Sequence, residues 1–490
     1  MAILPANVLI ADPHADWMRL AVPLVLEQDL AGARDLVPVL IASESGVYAA
    51  AASETLRVTL EDRGGKIDLD ATLAGVSSQR SERRLPARAT PADLIAACDA
   101  LARQLDSSAT AFGTHSVPAL QAFAAGAFSS NTSAKIQRFS EAIAADPSFG
   151  LAYAALAEAN KADAAAVLAK GAARRGSFSA ADRARFDFVR ARLLRSPLPE
   201  QAAAGHALVA VTPNDAEAWA SLSSVMFLSG QAADGERAMS RALQITPENP
   251  NLRLQLATGL IENRQFAQAE KILNGLASNP AALPALAVCV WLEGDQARAA
   301  SIYDKFLVSV TNQDAKLLLK SSWQALTGSR EQAISLLAGA HLSEPRLAAF
   351  AKTQIVVWQL LNRDRTAARN TAAGAGPIAE LLAAGAGSAE EWRAKVEALP
   401  AAITNAEVKK ALLRYGYFLC GFYPEAAEAW QEADRESGGA DLRARAMLAA
   451  SLTAAGHADQ AKQVRVQPFV PDFSDFFSAV SFSRLRGQAE

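Results

Sequence analysis

The sequence predicts a mostly α-helical protein in which an array of antiparallel helix pairs follows a small α/β domain. Alanine, the strongest helix former, makes up about a fifth of the 490 residues. Small and large apolar residues recur with a period of 34 residues over most of the chain. The first hundred residues instead contain short stretches that alternate as strands do. We therefore expect an α-solenoid, a superhelix of helix pairs, with one strand-containing domain before it.

The composition excludes several classes of protein. Hydrophobic residues make up 51% and charged residues 20% of the chain, which is typical of a folded protein and not of a disordered one. The formal net charge of -3 gives no basic excess for nucleic acid or an anionic membrane. Cys98, Cys289 and Cys420 are far apart, so neither a disulfide framework nor a zinc site is expected.

The apolar stretches predict neither export nor a membrane span. The amino terminus lacks the basic segment of a secretory signal. No stretch reaches the ~20 apolar residues that cross a bilayer as a helix. We expect a cytoplasmic protein without a transmembrane segment.

The first hundred residues predict a small α/β domain over residues 1–106. The expected order is strand, helix, strand, helix, strand, strand, helix. The two adjacent strands form a hairpin around Gly64 and Gly65. A final amphipathic helix follows Thr90, a residue type that caps helices.

Several short stretches resemble the TolB-type amino-terminal domain that precedes helical arrays in many bacterial regulatory proteins. They are Ile3-Leu4-Pro5, Asp12-Pro13, Asp16-Trp17, the hairpin glycines and Ala71-Thr72-Leu73. The resemblance implies a bacterial protein with a regulatory context. Such proteins often carry a kinase, a DNA-binding domain or a membrane helix ahead of this domain, and we expect none of these activities here.

The clearest repeat runs from Ala216 to Asn249, a span of 34 residues. Trp219 precedes a leucine and a small residue, and a second helix with small and large positions ends at Pro247. The small residues let two helices approach closely, and the proline cannot continue the second helix. Pro213 lies one period before Pro247, and the frame continues in both directions. The pattern resembles the tetratricopeptide (TPR) repeat, which implies a concave ligand-binding surface.

The repeat frame also predicts the limits of the remaining domains. Residues 107–370 and 405–465 are expected to form TPR-like helix pairs, with an additional helix and turn at 161–181. Residues 371–404 are glycine-rich and predict irregular helices, either a hinge or a capping pair. Residues 466–490 form an aromatic tail that either caps the last pair or binds a partner. Its phenylalanines are Phe469, Phe473, Phe476, Phe477 and Phe482.

No pattern in the sequence predicts catalysis, and we expect no catalytic residue, no cofactor and no metal site. The five histidines are scattered, and phosphate-binding, nucleophile-elbow and kinase motifs are absent. Asp68 and Asp70 could bind a metal ion, but strand alternation explains them better as an exposed face. One arginine cluster occupies a predicted flexible linker, and a second, between Arg174 and Arg192, is expected on a solvated helix. The linker cluster comprises Arg80, Arg83, Arg84 and Arg88.

The repeat frame identifies candidate peptide-groove residues beside the leucine–small pairs of the first helices. Their mixture of apolar and neutral side chains predicts recognition of an extended or helical segment, and not a carboxylate clamp. Each of them could equally be a packing residue. The candidates are Glu158, Lys161, Phe186, Arg190, Ser224, Phe227, Thr258, Ile261, Val288, Trp291, Ser322, Tyr415 and Phe418.

Two functions follow from this organisation. The first is a non-catalytic scaffold that binds another protein or peptide. We expect no nucleic-acid partner, and the sequence does not determine the oligomeric state. The alternative is a regulatory or sensory protein, in which the amino-terminal domain binds a small ligand or a signalling partner and acts through the array. An enzyme with an unrecognised site would require a polar cluster in the cleft beside residues 1–106.

Overall fold

The computed structural model describes residues 1–76, 82–247, 249–400, 406–473, 475, 477–478 and 480–481, with only the backbone at Tyr48 and Ala49. The chain divides into two compact units, a first unit of Met1–Leu252 and a second unit of Arg253–Glu490. The predicted domain limits at residues 106, 370, 404 and 465 stay predictions.

The first unit begins with a mixed sheet. β1 and β2 lie parallel to β4, and β3 lies parallel to β1 on the other side. β4 and β5 form the predicted hairpin, with Asp62 opposite Ile67. Gly64 and Gly65 form its turn with φ of 68° and 80°, a conformation that glycine adopts without steric cost. The strands are β1 Ala2–Ile3, β2 Asn7–Leu9, β3 Val39–Leu40, β4 Glu54–Asp62, β5 Ile67–Gly75 and β6 Arg83–Ala89.

The prediction of a flexible linker at Arg83, Arg84 and Arg88 was wrong, because these residues belong to β6. Every residue of β6 pairs antiparallel with β5. Sequence reasoning missed this strand because Pro86 and three arginines obscure its alternation. Proline is tolerated in an edge strand, and β6 lies at the edge of the described sheet order. Arg88 and Arg63 pair with Asp68, which accounts for this carboxylate on the exposed face. Arg80 lies outside the described residues.

Helices cover the sheet and then continue as pairs. Ser116, Asn131 and Asp215 cap their helices by accepting a hydrogen bond from a backbone N–H in the first turn. The predicted additional helix lies between α6 and α8. The helices are α1 Met18–Leu30, α2 Gly46–Ala49, α3 Leu94–Leu105, α4 Val117–Ala127, α5 Thr132–Ala145, α6 Gly150–Ala159, α7 Ala164–Ala172, α8 Ala180–Leu193, α9 Leu198–Val211, α10 Ala216–Leu228 and α11 Ala232–Ile245.

One hydrophobic core joins the sheet to the first helix pairs. It runs without interruption from Ile3 through Leu56 and Leu101 to Phe123 and Leu156. Because the strands and the first pairs bury their apolar faces against the same residues, this part of the chain is stabilised as one body.

The second unit continues the helix pairs, so the predicted α-solenoid fold with a small strand-containing domain is confirmed. Ser388 and Asp441 again cap helices. α12, Pro250–Glu262, crosses the limit between the units. The further helices are α13 Phe266–Gly275, α14 Leu283–Leu292, α15 Gln296–Ser309, α16 Gln313–Thr327, α17 Arg330–Ala338, α18 Pro345–Leu361, α19 Arg365–Ala372, α20 Pro377–Ala384, α21 Ala389–Glu397, α22 Ala406–Cys420, α23 Tyr423–Glu436, α24 Leu442–Ala454 and α25 Ala458–Gln463.

The close helix packing explains the small residues of the repeat. At Gly235 an added Cβ atom would lie 3.0 Å from the ring of Phe227, so the two helices of this pair approach as the sequence predicted. Gly230 ends α10 with φ of 72°, and the N–H of Gln231 donates to the carbonyl of Met226, as in a Schellman cap. Within the described residues, no helix is long and apolar enough to cross a membrane.

Candidate functional site

Three of the predicted groove residues are exposed in the first unit. Glu158 lies in the last turn of α6, with its carboxylate 3.7 Å from the guanidinium of Arg192. Lys161 follows in the next turn, and Arg190 lies on α8 with its side chain exposed. These three charged groups are available to a ligand.

The apolar candidates lie instead among the core residues. Phe186 is 0% exposed and contacts Phe178 edge to face, and Phe227 packs on Gly235. Ile261, Val288, Trp291 and Phe418 are also buried. Their individual contact with a ligand therefore stays a prediction.

Two of the candidates with a hydroxyl group, Ser224 and Thr258, form hydrogen bonds within their own helices. The Ser224 Oγ donates to the Ala220 carbonyl at 3.3 Å, and the Thr258 Oγ1 donates to the Leu254 carbonyl at 3.0 Å. Such bonds satisfy a hydroxyl without a ligand.

Ser322 and Tyr415 have a different environment, because both lie against the carboxyl-terminal tail. We call the surface formed by Tyr303, Ser322, Trp323, Gln354 and Tyr415 the aromatic groove. Except for Tyr303 on α15, these residues lie on α16, α18 and α22, the first helices of their pairs. The tail is thus in contact with the surface that the repeat frame predicts to bind a ligand.

Aromatic rings form much of the contact between the tail and the aromatic groove. Tyr303 and Trp323 stack with ring centroids 4.4 Å apart, and Phe473 of the tail lies 5.1 Å from Tyr303 and 6.0 Å from Trp323. Phe477 stacks on Tyr415 with centroids 4.2 Å apart. Aromatic pairs in this range of distances are favourable beyond the area that they bury.

Polar contacts hold the described part of the tail at Gln467, Asp475 and Ser481. The Tyr415 hydroxyl and the Ser481 Oγ are 2.6 Å apart. Arg443 of α24 pairs with Asp475 at 3.4 Å. The Gln467 side chain donates to the Glu262 carbonyl and accepts from Arg445.

The tail therefore extends over several helix pairs and does more than cap the last one. Phe469, Phe473 and Phe477 are buried. Phe476 and Phe482 lie outside the described residues. Sequence reasoning missed Tyr303, Trp323 and Gln354 as groove residues. Trp323 directly follows the candidate Ser322 in the sequence. The large indole side chain of Trp323 was the signal that could have identified it as a groove residue.

Gln354 is the one polar side chain of the aromatic groove with an unsatisfied atom among the described residues. Its Nε2 donates to the Ser322 Oγ at 2.9 Å, but no described group donates to its Oε1. Gln354 is 2% exposed and borders a cavity of about 10 Å³ beside Phe473 and Asp475. A cavity of this size holds at most about one water molecule, so the contact is tightly packed.

The first unit contains a second concave feature, a cavity of about 360 Å³ between α1, β3 and the helices that follow. Glu27, Glu158 and Glu217 line it together with an ion pair between Arg185 and Asp215. Burial raises the pKa of Glu27 and of Glu158. The lining of the cavity combines charged and apolar side chains.

No group of three or more His, Cys, Asp or Glu side chains in the described part of the chain could hold a metal ion. All three cysteines are free thiols, and burial raises the pKa of each. A reactive cysteine has a lowered thiol pKa, so the shift of these three thiols is in the opposite direction.

The helix pairs and the groove along their first helices define a protein of the α-solenoid class. Residues 226–287 match the tetratricopeptide repeat family. The repeat predicted from the spacing of small and large residues is thereby confirmed in this segment. The segment includes residues 226–249 of the repeat Ala216–Asn249 from which the frame was derived. No curated protein matches the sequence at a significant level.

Several solved structures resemble the chain. The structure of Naa15/Naa10 bound to HypK-THB is 12% identical with a TM-score of 0.25, and the match covers 68% of this chain and 60% of that chain. The APC/C hetero-tetramer Cut9-Hcn1 is 13% identical, covering 71% and 73%, with a TM-score of 0.29. The human IFIT1 dimer with PPP-AAAA is 13% identical, covering 76% and 90%, with a TM-score of 0.31. The chain thus spans less than two thirds of the length of the Naa15/Naa10 chain that it matches.

Proposed function

We propose that this protein is a non-catalytic scaffold that binds a segment of another protein along the groove of its helix pairs. One observation carries the proposal: the aromatic groove of the second unit holds the rings of Phe473 and Phe477. These rings come from a segment outside the helix pairs, so the surface binds peptide side chains. Repeat proteins use such surfaces to bind partners.

Selection of peptides from a random phage-displayed library tests this function. The bait is the full chain and, in parallel, a chain that ends at Arg465. We expect peptides with aromatic residues to be enriched, and Trp323→Leu or Tyr415→Leu to reduce their binding. Val308→Ala is the matched control, because Val308 lies on α15 with 78% of its surface exposed. Enrichment that is equal on the groove variants and on the unsubstituted chains would contradict the proposal.

We further propose that residues 1–106 are a TolB-type amino-terminal domain of a bacterial protein. The strand order and the hairpin at Gly64-Gly65 support this assignment. The cytoplasmic location and the absence of a nucleic-acid partner stay predictions from the sequence.

The alternative function, a regulatory protein that senses a small ligand, has one observation in its favour. The lining of the first unit's cavity combines residues of α1 and β3 with charged residues of the helix pairs. A screen of small amines and carboxylates for thermal stabilisation tests it. Stabilisation that Glu217→Gln abolishes would support this function, and stabilisation by none of the compounds would contradict it.

A further inference from the structure

The tail presents two aromatic rings to the aromatic groove and, between them in the sequence, a carboxylate to Arg443 of α24. Phe473 lies beside Tyr303 and Trp323, Asp475 pairs with Arg443, and Phe477 stacks on Tyr415. The described contacts of the tail thus follow the order aromatic, acidic, aromatic at residues 473, 475 and 477. Each position meets a complementary group, so the groove can distinguish this order of side chains from others.

The described residues of the tail do not satisfy every group of the groove. Among the described residues, nothing donates a hydrogen bond to the Oε1 of Gln354, although this atom is buried at the tail. Buried acceptors in proteins are nearly always paired, and an unpaired one weakens the complex that contains it. A segment with a hydrogen-bond donor at this place would bind better than the tail does.

The tail follows α25 in the same chain, so it is a tethered ligand. A short flexible connection gives such a ligand an effective concentration on the order of millimolar. A free segment with the same contacts therefore competes poorly, whereas one that also satisfies Gln354, or that a larger partner holds nearby, can replace the tail.

We propose that the tail is a displaceable internal occupant of the aromatic groove. The partner is a protein segment with the same order of aromatic, acidic and aromatic residues and a donor for Gln354. This inference rests on the proposed function and adds both the partner class and its regulation. The protein with its tail bound is closed to that partner, and release of the tail opens the groove.

A labelled peptide of residues 466–481 tests the proposal by fluorescence anisotropy. We expect saturable binding to the chain that ends at Arg465 and binding at least about tenfold weaker to the full chain, where the tail competes. Replacing both Phe473 and Phe477 by alanine in the peptide should abolish binding. Asp475→Asn should weaken it, whereas Asp472→Asn, which removes the same charge from an exposed position, should have a smaller effect.

A second variant keeps the test decisive where the shortened chain does not fold. A protease site inserted after Gln463, at an exposed position, allows the tail to be cut while it stays bound. We expect the labelled peptide to exchange into the cut protein. A folded shortened chain that does not bind the peptide, or a cut protein that does not exchange its tail, would overturn the inference.

The outcomes also separate this inference from the proposed function. Selected peptides that bind the full and shortened chains equally, without competition from the 466–481 peptide, would preserve the scaffold function and overturn the inference. Binding of the tail peptide together with no enrichment of any foreign peptide would instead contradict the scaffold function.

Discussion

The ring of Phe477 stacks on the ring of Tyr415 with an interplanar angle of 14°, and the two residues are 62 positions apart in the sequence (477 − 415). Trp430 meets the same tyrosine edge to face at 4.7 Å. Burial raises the pKa of the Tyr415 hydroxyl, which is within hydrogen-bond distance of Ser481. Tyr415 thus links α22, α23 and the tail.

Phe477→Ala is expected to lower the free energy of unfolding of the second unit by ~3 kcal/mol, because it removes a buried ring and leaves a cavity beside Tyr415. Tyr415→Phe retains the stacked ring and loses only the bond to Ser481, so we expect a loss of ~1 kcal/mol. Urea unfolding followed by circular dichroism measures both. Equal effects of the two variants would show that the stacked ring contributes no more than the hydroxyl.

Gly416→Ala is expected to destabilise the second unit by ~2–3 kcal/mol through overpacking. An added Cβ atom would lie 2.0 Å from Cζ2 of Trp392, whose side chain is fully buried. Gly275→Ala is the control, since nothing lies within 4 Å of its added atom and it ends α13. That change should stabilise the helix slightly, by ~0.5 kcal/mol. Similar melting temperatures for the two variants would contradict the packing at Trp392.

Asp29→Asn is expected to stabilise the first unit at pH 8. Burial of the Asp29 carboxyl, together with the charge of Asp99, raises its pKa from 3.8 to about 10. The folded state therefore binds a proton that the unfolded state releases above pH 4, so wild-type stability falls as pH rises between about 4 and 10. The titration of Asp29 lowers the free energy of unfolding by at most ~1.4 kcal/mol per pH unit, and Asp29→Asn removes this contribution.

Thermal unfolding from pH 5 to 9 checks the Asp29 prediction. Asp35→Asn is the control, because Asp35 is exposed. We expect the melting temperatures of the wild type and of the control to fall together with rising pH, while that of Asp29→Asn changes less. The same pH dependence of the melting temperature in all three proteins would contradict the raised pKa of Asp29.

Asn214→Ala is expected to loosen the loop between α1 and β3. The Asn214 Nδ2 donates to the carbonyls of Ala33 and Leu36 at 2.6 and 2.9 Å, and its Oδ1 accepts from Arg241 at 3.0 Å. Leaving buried carbonyls unpaired costs ~1–3 kcal/mol. Hydrogen exchange should accelerate at residues 31–38 and not in β5. The exposed Asn251→Ala should leave this exchange unchanged.

The sequence predicted the helix pairs because their signal is local. Small residues such as Gly235 and breaks such as Gly230 recur at a fixed spacing, and each repeat contacts mainly its neighbours. The hairpin of β4 and β5 was equally readable from its glycines and its alternation. β6 was not, because Pro86 and the arginines of an edge strand carry little of that pattern.

The sequence by itself determined the repeat, the period-two alternation and the aromatic character of the tail. Only the tertiary structure decided the surroundings of the groove candidates. It buried Phe186 and Phe227 in the core and brought Ser322 and Tyr415 to the tail. The physical reason is distance along the chain. Helix period is fixed by neighbouring residues, whereas the contact of Phe473 with Tyr303 depends on how all the intervening pairs stack.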